Sequence, residues 1–66
     1  MGIDVQKIRA LREKLGLTQQ AAAERAKLRN RQYWNNVETG QRNNVTVDTL
    51  ERIAKALGVK AKDLLK

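Results

Sequence analysis

The sequence predicts an all-α domain of five short helices, on three observations. Apolar residues recur in steps of three and four, and only the short run Val45–Thr46–Val47 alternates with strand period. Asp4, Thr18, Asn30 and Thr46 stand where helix starts need a capping side chain, and Gly16, Gly40 and Gly58 stand where helices stop. No proline interrupts the 66 residues.

Each element follows from these signals. Asp4 caps a first helix running to about Leu15, with Val5, Ile8, Leu11 and Leu15 as its inner stripe and Gly16 as its stop. Thr18 caps a second helix over about 19–26, whose buried side is small throughout: Ala22, Ala23 and Ala26. Small residues let a neighbouring helix approach closely and leave room for a bulky partner. Lys27, Leu28 and Arg29 form a turn, with Leu28 the one candidate for burial there. Asn30 then caps a third helix to about Glu38. Gln41 to Val45 reads as a polar loop, and Thr46 caps a fourth helix with the stripe Val47, Leu50, Ile53, Ala54 and Leu57. A short last helix over about 61–65 brings Leu64 and Leu65 to the core, with Lys60 a poor cap for it.

The totals bound the function. Sixty-six residues make one domain over 1–66, and such a domain buries only about 60% of the surface its unfolded chain exposes. The absence of Cys and His removes disulfides, thiolate chemistry, the usual zinc sites and the commonest general base. No nucleophile–base pair or phosphate loop is present, so neither an enzyme nor a cofactor, metal or small-molecule ligand is expected. The opening MGIDVQKIRA has no signal-like apolar run, which makes a cytoplasmic protein with no membrane partner the expectation. The formal net charge of +7 attracts polyanions, of which nucleic acid is the commonest.

The third helix shows where such a partner would sit. At 100° per residue, turning Trp34 inward brings Asn30, Val37 and Glu38 to its side. Gln32 and Asn36 then point away, flanked by Tyr33 and Asn35, with Arg31 at the leading end. Solvated helix faces favour Lys and Glu over this much amide. Arg can donate twice to guanine O6 and N7, and Gln or Asn can pair with adenine N6 and N7, so this face suits base edges. Trp34 is read as core, because a tryptophan in the groove would obstruct docking. Lys60, Lys62 and Lys66 are read as plain solvated charges.

The segments IRALREKLGLTQ, AAERA, YWNNVETGQRN and VDTLERIAKALGV resemble the lambda-repressor and Cro type of helix-turn-helix, the xenobiotic-response-element family of bacterial and phage regulators. The resemblance spans about Ile8 to Leu65. It implies a compact five-helix domain whose helices two and three bind double-stranded DNA, the latter in the major groove. It implies base contacts from Arg31, Gln32 and Asn36, with Asn35 beside them. Backbone contacts are implied for Thr18, Gln19, Arg29, Asn30, Tyr33, Thr39, Gln41, Arg42 and Asn43, and Gln19 would also brace the recognition helix. Arg12 and Glu38 match a structural ion pair that joins helix one to the end of helix three. Two departures stand out. The turn is one residue longer than usual, with Lys27 where many members have Gly, so that Arg29 or Asn30 can take the leading place given to Arg31. Ala22 replaces a frequent Leu while Trp34 exceeds the usual Ile or Val, a compensating exchange of volume.

The expected function is therefore a sequence-specific, repressor-like transcriptional regulator. It would bind a palindromic operator as a homodimer, through a contact guessed at Leu64, Leu65 and the last helix. The alternatives are an antitoxin, which would need a further toxin-binding segment, and a protein-interaction adaptor on the same fold.

Overall fold

The structure, a computed structural model, describes residues 2–41 and 45–65. It contains four α-helices, α1 (Val5–Lys14), α2 (Gln19–Arg25), α3 (Arg31–Glu38) and α4 (Val47–Leu57), followed by a 3-10 turn, Ala61–Leu64. No strand occurs among the described residues, which leaves one isolated antiparallel bridge, Ile3 with Leu65.

The helix starts are set by local side-chain chemistry. Asp4 accepts from the Lys7 amide at 3.2 Å, Thr18 from Ala21 at 3.0 Å, Asn30 from Tyr33 at 2.9 Å and Thr46 from Thr49 at 3.1 Å. Each satisfies a backbone N–H that the helix itself leaves unpaired. The ends are equally local. At Gly16 (φ +72°), the amides of Gly16 and Leu17 return to the carbonyls of Glu13 and Arg12, at 3.0 and 3.1 Å. This Schellman arrangement needs a left-handed residue. The same closure ends α2, where Lys27 and Leu28 return to Glu24 and Ala23 at 3.1 and 2.9 Å. Here the left-handed residue is Lys27, at φ +57°, the only non-glycine with positive φ among the described residues.

The core is centred on Trp34, fully buried with Ile8, Val37, Ile53 and Leu64. Ala22, Ala23 and Ala26 face it from α2, each at most 1% exposed. The alanine side of α2 thus holds the largest side chain of the molecule, and the bulk is supplied by α3.

Three expectations are corrected. The fifth helix is a single 3-10 turn: Leu65 is already extended and paired with Ile3, so no room remains for an α-helical turn. Lys60 is a poor cap, as expected: its side chain makes no capping bond, and Asp63 accepts from the Lys60 amide at 3.3 Å instead. Leu65 is 43% exposed, and Leu64 alone enters the core. Leu15 and Val47 are 48% and 74% exposed, although both lie on helical stripes. The chain reverses at Gly16 and delivers Leu17 to the core in place of Leu15, while Leu50 is the first side chain of α4 to be buried. Conversely, Ile3, given no role in the sequence, is 8% exposed and belongs to the core. It is held there by the bond from the Asp4 amide to the Leu64 carbonyl, at 2.7 Å.

Candidate nucleic-acid interface

The front of α3 follows from its cap. Because Asn30 is the capping residue, Arg31 is the first residue of the helix, and Arg29 and Asn30 precede it. Trp34 and Val37 face inward at 0% exposure, so residues about 180° away face out. Arg31 and Gln32 are exposed, while Tyr33, Asn35 and Asn36 are half-buried. Gln32 Nε2 donates to Asn36 Oδ1 at 2.9 Å, across one helical turn. That bond couples the two amides on the outer face. It leaves the Gln32 carbonyl as an acceptor and the Asn36 amide nitrogen as a donor, the complementary pair that an adenine edge requires.

Asn35 is turned towards α2, where its Oδ1 accepts from Gln19 Nε2 at 3.2 Å. One hydrogen bond therefore ties the start of α2 to the middle of α3, the two helices of the motif. Thr18 Oγ1 accepts from the Ala21 amide in the cap, so its O–H can still donate. Thr39 donates its hydroxyl to the Asn36 carbonyl at 3.3 Å. Gln41 is exposed; Arg42 and Asn43, expected in the loop contacts, lie outside the described residues. Arg29 and Asn30 are exposed beside Tyr33, whose ring packs partly against the core.

A polar knot behind this surface fixes α3 on α1. Arg12 Nε donates to Glu38 Oε2 at 2.6 Å and Nη2 to Oε1 at 3.3 Å, while Nη1 donates to the Leu17 carbonyl at 2.7 Å. Trp34 Nε1 donates to the same Glu38 oxygen. The Arg12 and Glu38 side chains are 12% and 4% exposed, so the pair is nearly water-free. No buried side-chain nitrogen or oxygen lacks a partner among the described residues. Two of these contacts, to the Leu17 carbonyl and from the indole nitrogen, are not among those expected from the sequence. The step of four from Trp34 to Glu38 could have suggested the second.

Among the described residues there is no cluster of three or more His, Cys, Asp or Glu able to hold a metal, and no helix long and apolar enough to cross a membrane.

Comparison with known proteins agrees with this geometry. The chain is 44% identical over 61 residues to the control protein C.BamHI of Bacillus amyloliquefaciens, covering 91% of this chain and 73% of that one. Among solved structures it resembles the restriction-modification controller protein C.AhdI of Aeromonas hydrophila, with a TM-score of 0.84 and 36% identity over 92% of this chain and 89% of that one. It also resembles SinR, a master regulator for biofilm formation solved in complex with DNA, with a TM-score of 0.87 and 25% identity over 97% of this chain and 100% of that one. The family described as "Helix-turn-helix domain" matches residues 5–65. The chain therefore belongs to the helix-turn-helix domain family, of the lambda-repressor and Cro-like type.

Proposed function

We infer that this protein is a sequence-specific, double-stranded-DNA-binding transcriptional regulator of repressor-like type. The carrying observation is the outer face of α3: Arg31 in its first turn, and Gln32 and Asn36 bonded into one amide pair opposite the buried Trp34. An α-helix fits the major groove, and these groups match base edges there. Kinship with controller proteins and with a regulator solved on DNA supports the same reading.

In this reading Arg31, Gln32 and Asn36 read bases, with Asn35 at the edge of that set. Thr18, Gln19, Arg29, Asn30, Tyr33, Thr39 and Gln41, with Arg42 and Asn43, hold the DNA backbone and fix the register without reading sequence. The molecule measures 27 Å in its longest dimension. Half-sites one helical turn apart are centred about 34 Å from each other, so a palindromic operator takes two copies of the chain. The domain over 1–66 acts as a unit, in the cytoplasm where the DNA lies.

Selection of bound duplexes from a random pool tests this directly. A palindromic consensus is the expected outcome; a pool that emerges without enrichment would overturn the reading.

A further inference from the structure

The basic side chains of this molecule are not evenly spread. A shallow cleft on the outer face of α3 is walled by Arg29, Asn30, Gln32, Tyr33 and Asn36. Arg29 and Tyr33 also wall a second cleft, where they meet Lys27 from the turn and Thr49 and Arg52 from α4. Lys27 and Arg52 in turn wall a third, which adds Arg25 and Lys55 over a floor of Ala26 and Ala56. The three are thus continuous through shared walls. They form one groove that leaves the recognition helix and passes between the end of α2 and α4.

The electrostatics of this groove are one-sided. Arg25, Lys27, Arg29, Arg52 and Lys55 line it, and Asp48, 3.1 Å from Arg52, supplies the one ion pair made by any of them among the described residues. In the third cleft two buried alanines, Ala26 and Ala56, 1% and 6% exposed, let a ligand lie close to the backbone between cationic rims. Lys27 occupies a left-handed conformation that costs a non-glycine residue free energy, and that turn still carries a cation.

We propose that this groove is a second phosphodiester-binding track, which holds the DNA backbone flanking the bases read by α3. It rests on the DNA-binding reading above and extends it to Arg25, Lys27, Arg52 and Lys55. Continuity with the recognition face decides between a DNA strand and an acidic protein segment. A strand leaving the cleft of Arg29 and Tyr33 passes Leu28 and Thr49 to meet Lys27 and Arg52, and no carboxylate is among the residues that line the three clefts. The contacts carry no base preference, because their cations meet phosphates alone.

The test is the salt dependence of binding by the full chain to a random-sequence 40-base-pair duplex, compared with Arg25→Gln/Lys55→Gln. Each lost phosphate contact flattens the slope of log K against log salt by about one. The double variant is therefore expected to flatten it by about two, and to weaken binding by about thirtyfold at 0.15 M salt relative to extrapolation at 1 M. Lys60→Gln/Lys62→Gln removes the same net charge from the 3-10 turn, outside the groove, and is expected to change the slope by less than half as much. Circular dichroism and the emission of buried Trp34 confirm that both variants are folded. An unchanged slope in Arg25→Gln/Lys55→Gln overturns the proposal. Equal flattening in both variants also overturns it, by reducing the effect to net charge. So does loss of binding to polyglutamate with the DNA slope intact, which would assign the groove to an acidic protein. Because the duplex is random in sequence, none of these results depends on whether a palindromic consensus exists.

Discussion

Replacing Arg12 by Met should be among the most damaging single changes to this protein, and the cost can be worked from the polar knot. The substitution keeps an apolar stem of similar length but removes three donated bonds. It leaves the Glu38 carboxylate, 4% exposed, with the Trp34 indole N–H as its remaining partner. Removing one member of a buried pair costs about 3–5 kcal/mol, because the other charge stays desolvated. A domain of 66 residues has roughly 3–10 kcal/mol of stability in total. Arg12→Met should therefore lower the midpoint of thermal unfolding by more than about 12 °C, at about 4–8 °C per kcal/mol for a domain this small. Arg12→Met/Glu38→Met removes both charges together. What then remains unmatched is the indole N–H and the Leu17 carbonyl, at about 1 kcal/mol each. The double variant should thus be more stable than Arg12→Met alone, with a coupling energy of at least about 2 kcal/mol in the double-mutant cycle. Thermal and urea unfolding of the four proteins, followed by far-ultraviolet circular dichroism, measures it. If Arg12→Met stays within about 1 kcal/mol of the parent, or the two substitutions simply add, the pair does not bear on stability in the way argued.

Other outcomes follow from single elements. Lys27→Gly relieves a left-handed strain of about 1–2 kcal/mol while giving the unfolded chain more freedom, so a net gain of about 0.5–1 kcal/mol in urea unfolding is expected; a loss would contradict the strain. Thr46→Ala removes the cap of α4 and should cost about 1 kcal/mol, with base preference unchanged in a duplex selection. Gln32→Ala should leave the stability within about 0.5 kcal/mol of the parent and relax preference at one base pair per half-site by about 1–3 kcal/mol, read by competition binding; an unaltered preference would remove Gln32 from the reading face. Trp34→Ala should cost about 3–5 kcal/mol and leave the domain largely unfolded, as seen by circular dichroism.

The parts of the fold that were legible are those decided within a few residues. Asp4, Thr18, Asn30 and Thr46 cap because an oxygen three residues from an unpaired amide can reach it without help from the rest of the chain. The inward aspect of Trp34 followed from its own bulk and from the angular position of Val37. What stayed hidden depends on partners distant in sequence. Ile3 is buried because Leu65 pairs with it, and that same pairing shortens the last helix to one turn. Leu15 and Val47 obey the helical period, but the period says only which way a side chain points and not how far the neighbouring body extends. In the candidate site, the outward arc of α3 was open to the same angular reasoning. The bond from Gln19 to Asn35, which sets how α2 supports that arc, joins side chains sixteen positions apart.

The burial of Trp34 has a consequence for accuracy rather than for stability. Its ring is enclosed in a core that includes the alanines of α2, and Glu38, to which its indole N–H donates, is held by Arg12 of α1, so the two together set the angular phase of α3 about its own axis. A helix with side chains is about 10–12 Å across, so a rotation of 10° carries an outer side-chain tip by about 1 Å. Displacement on that scale is comparable to the whole working range of a hydrogen-bond length. In the proposed reading, Gln32 and Asn36 aim at one base and not its neighbour because a side chain on the opposite wall of the same helix stops it from turning. On that reading, discrimination between sequences is mounted in the core.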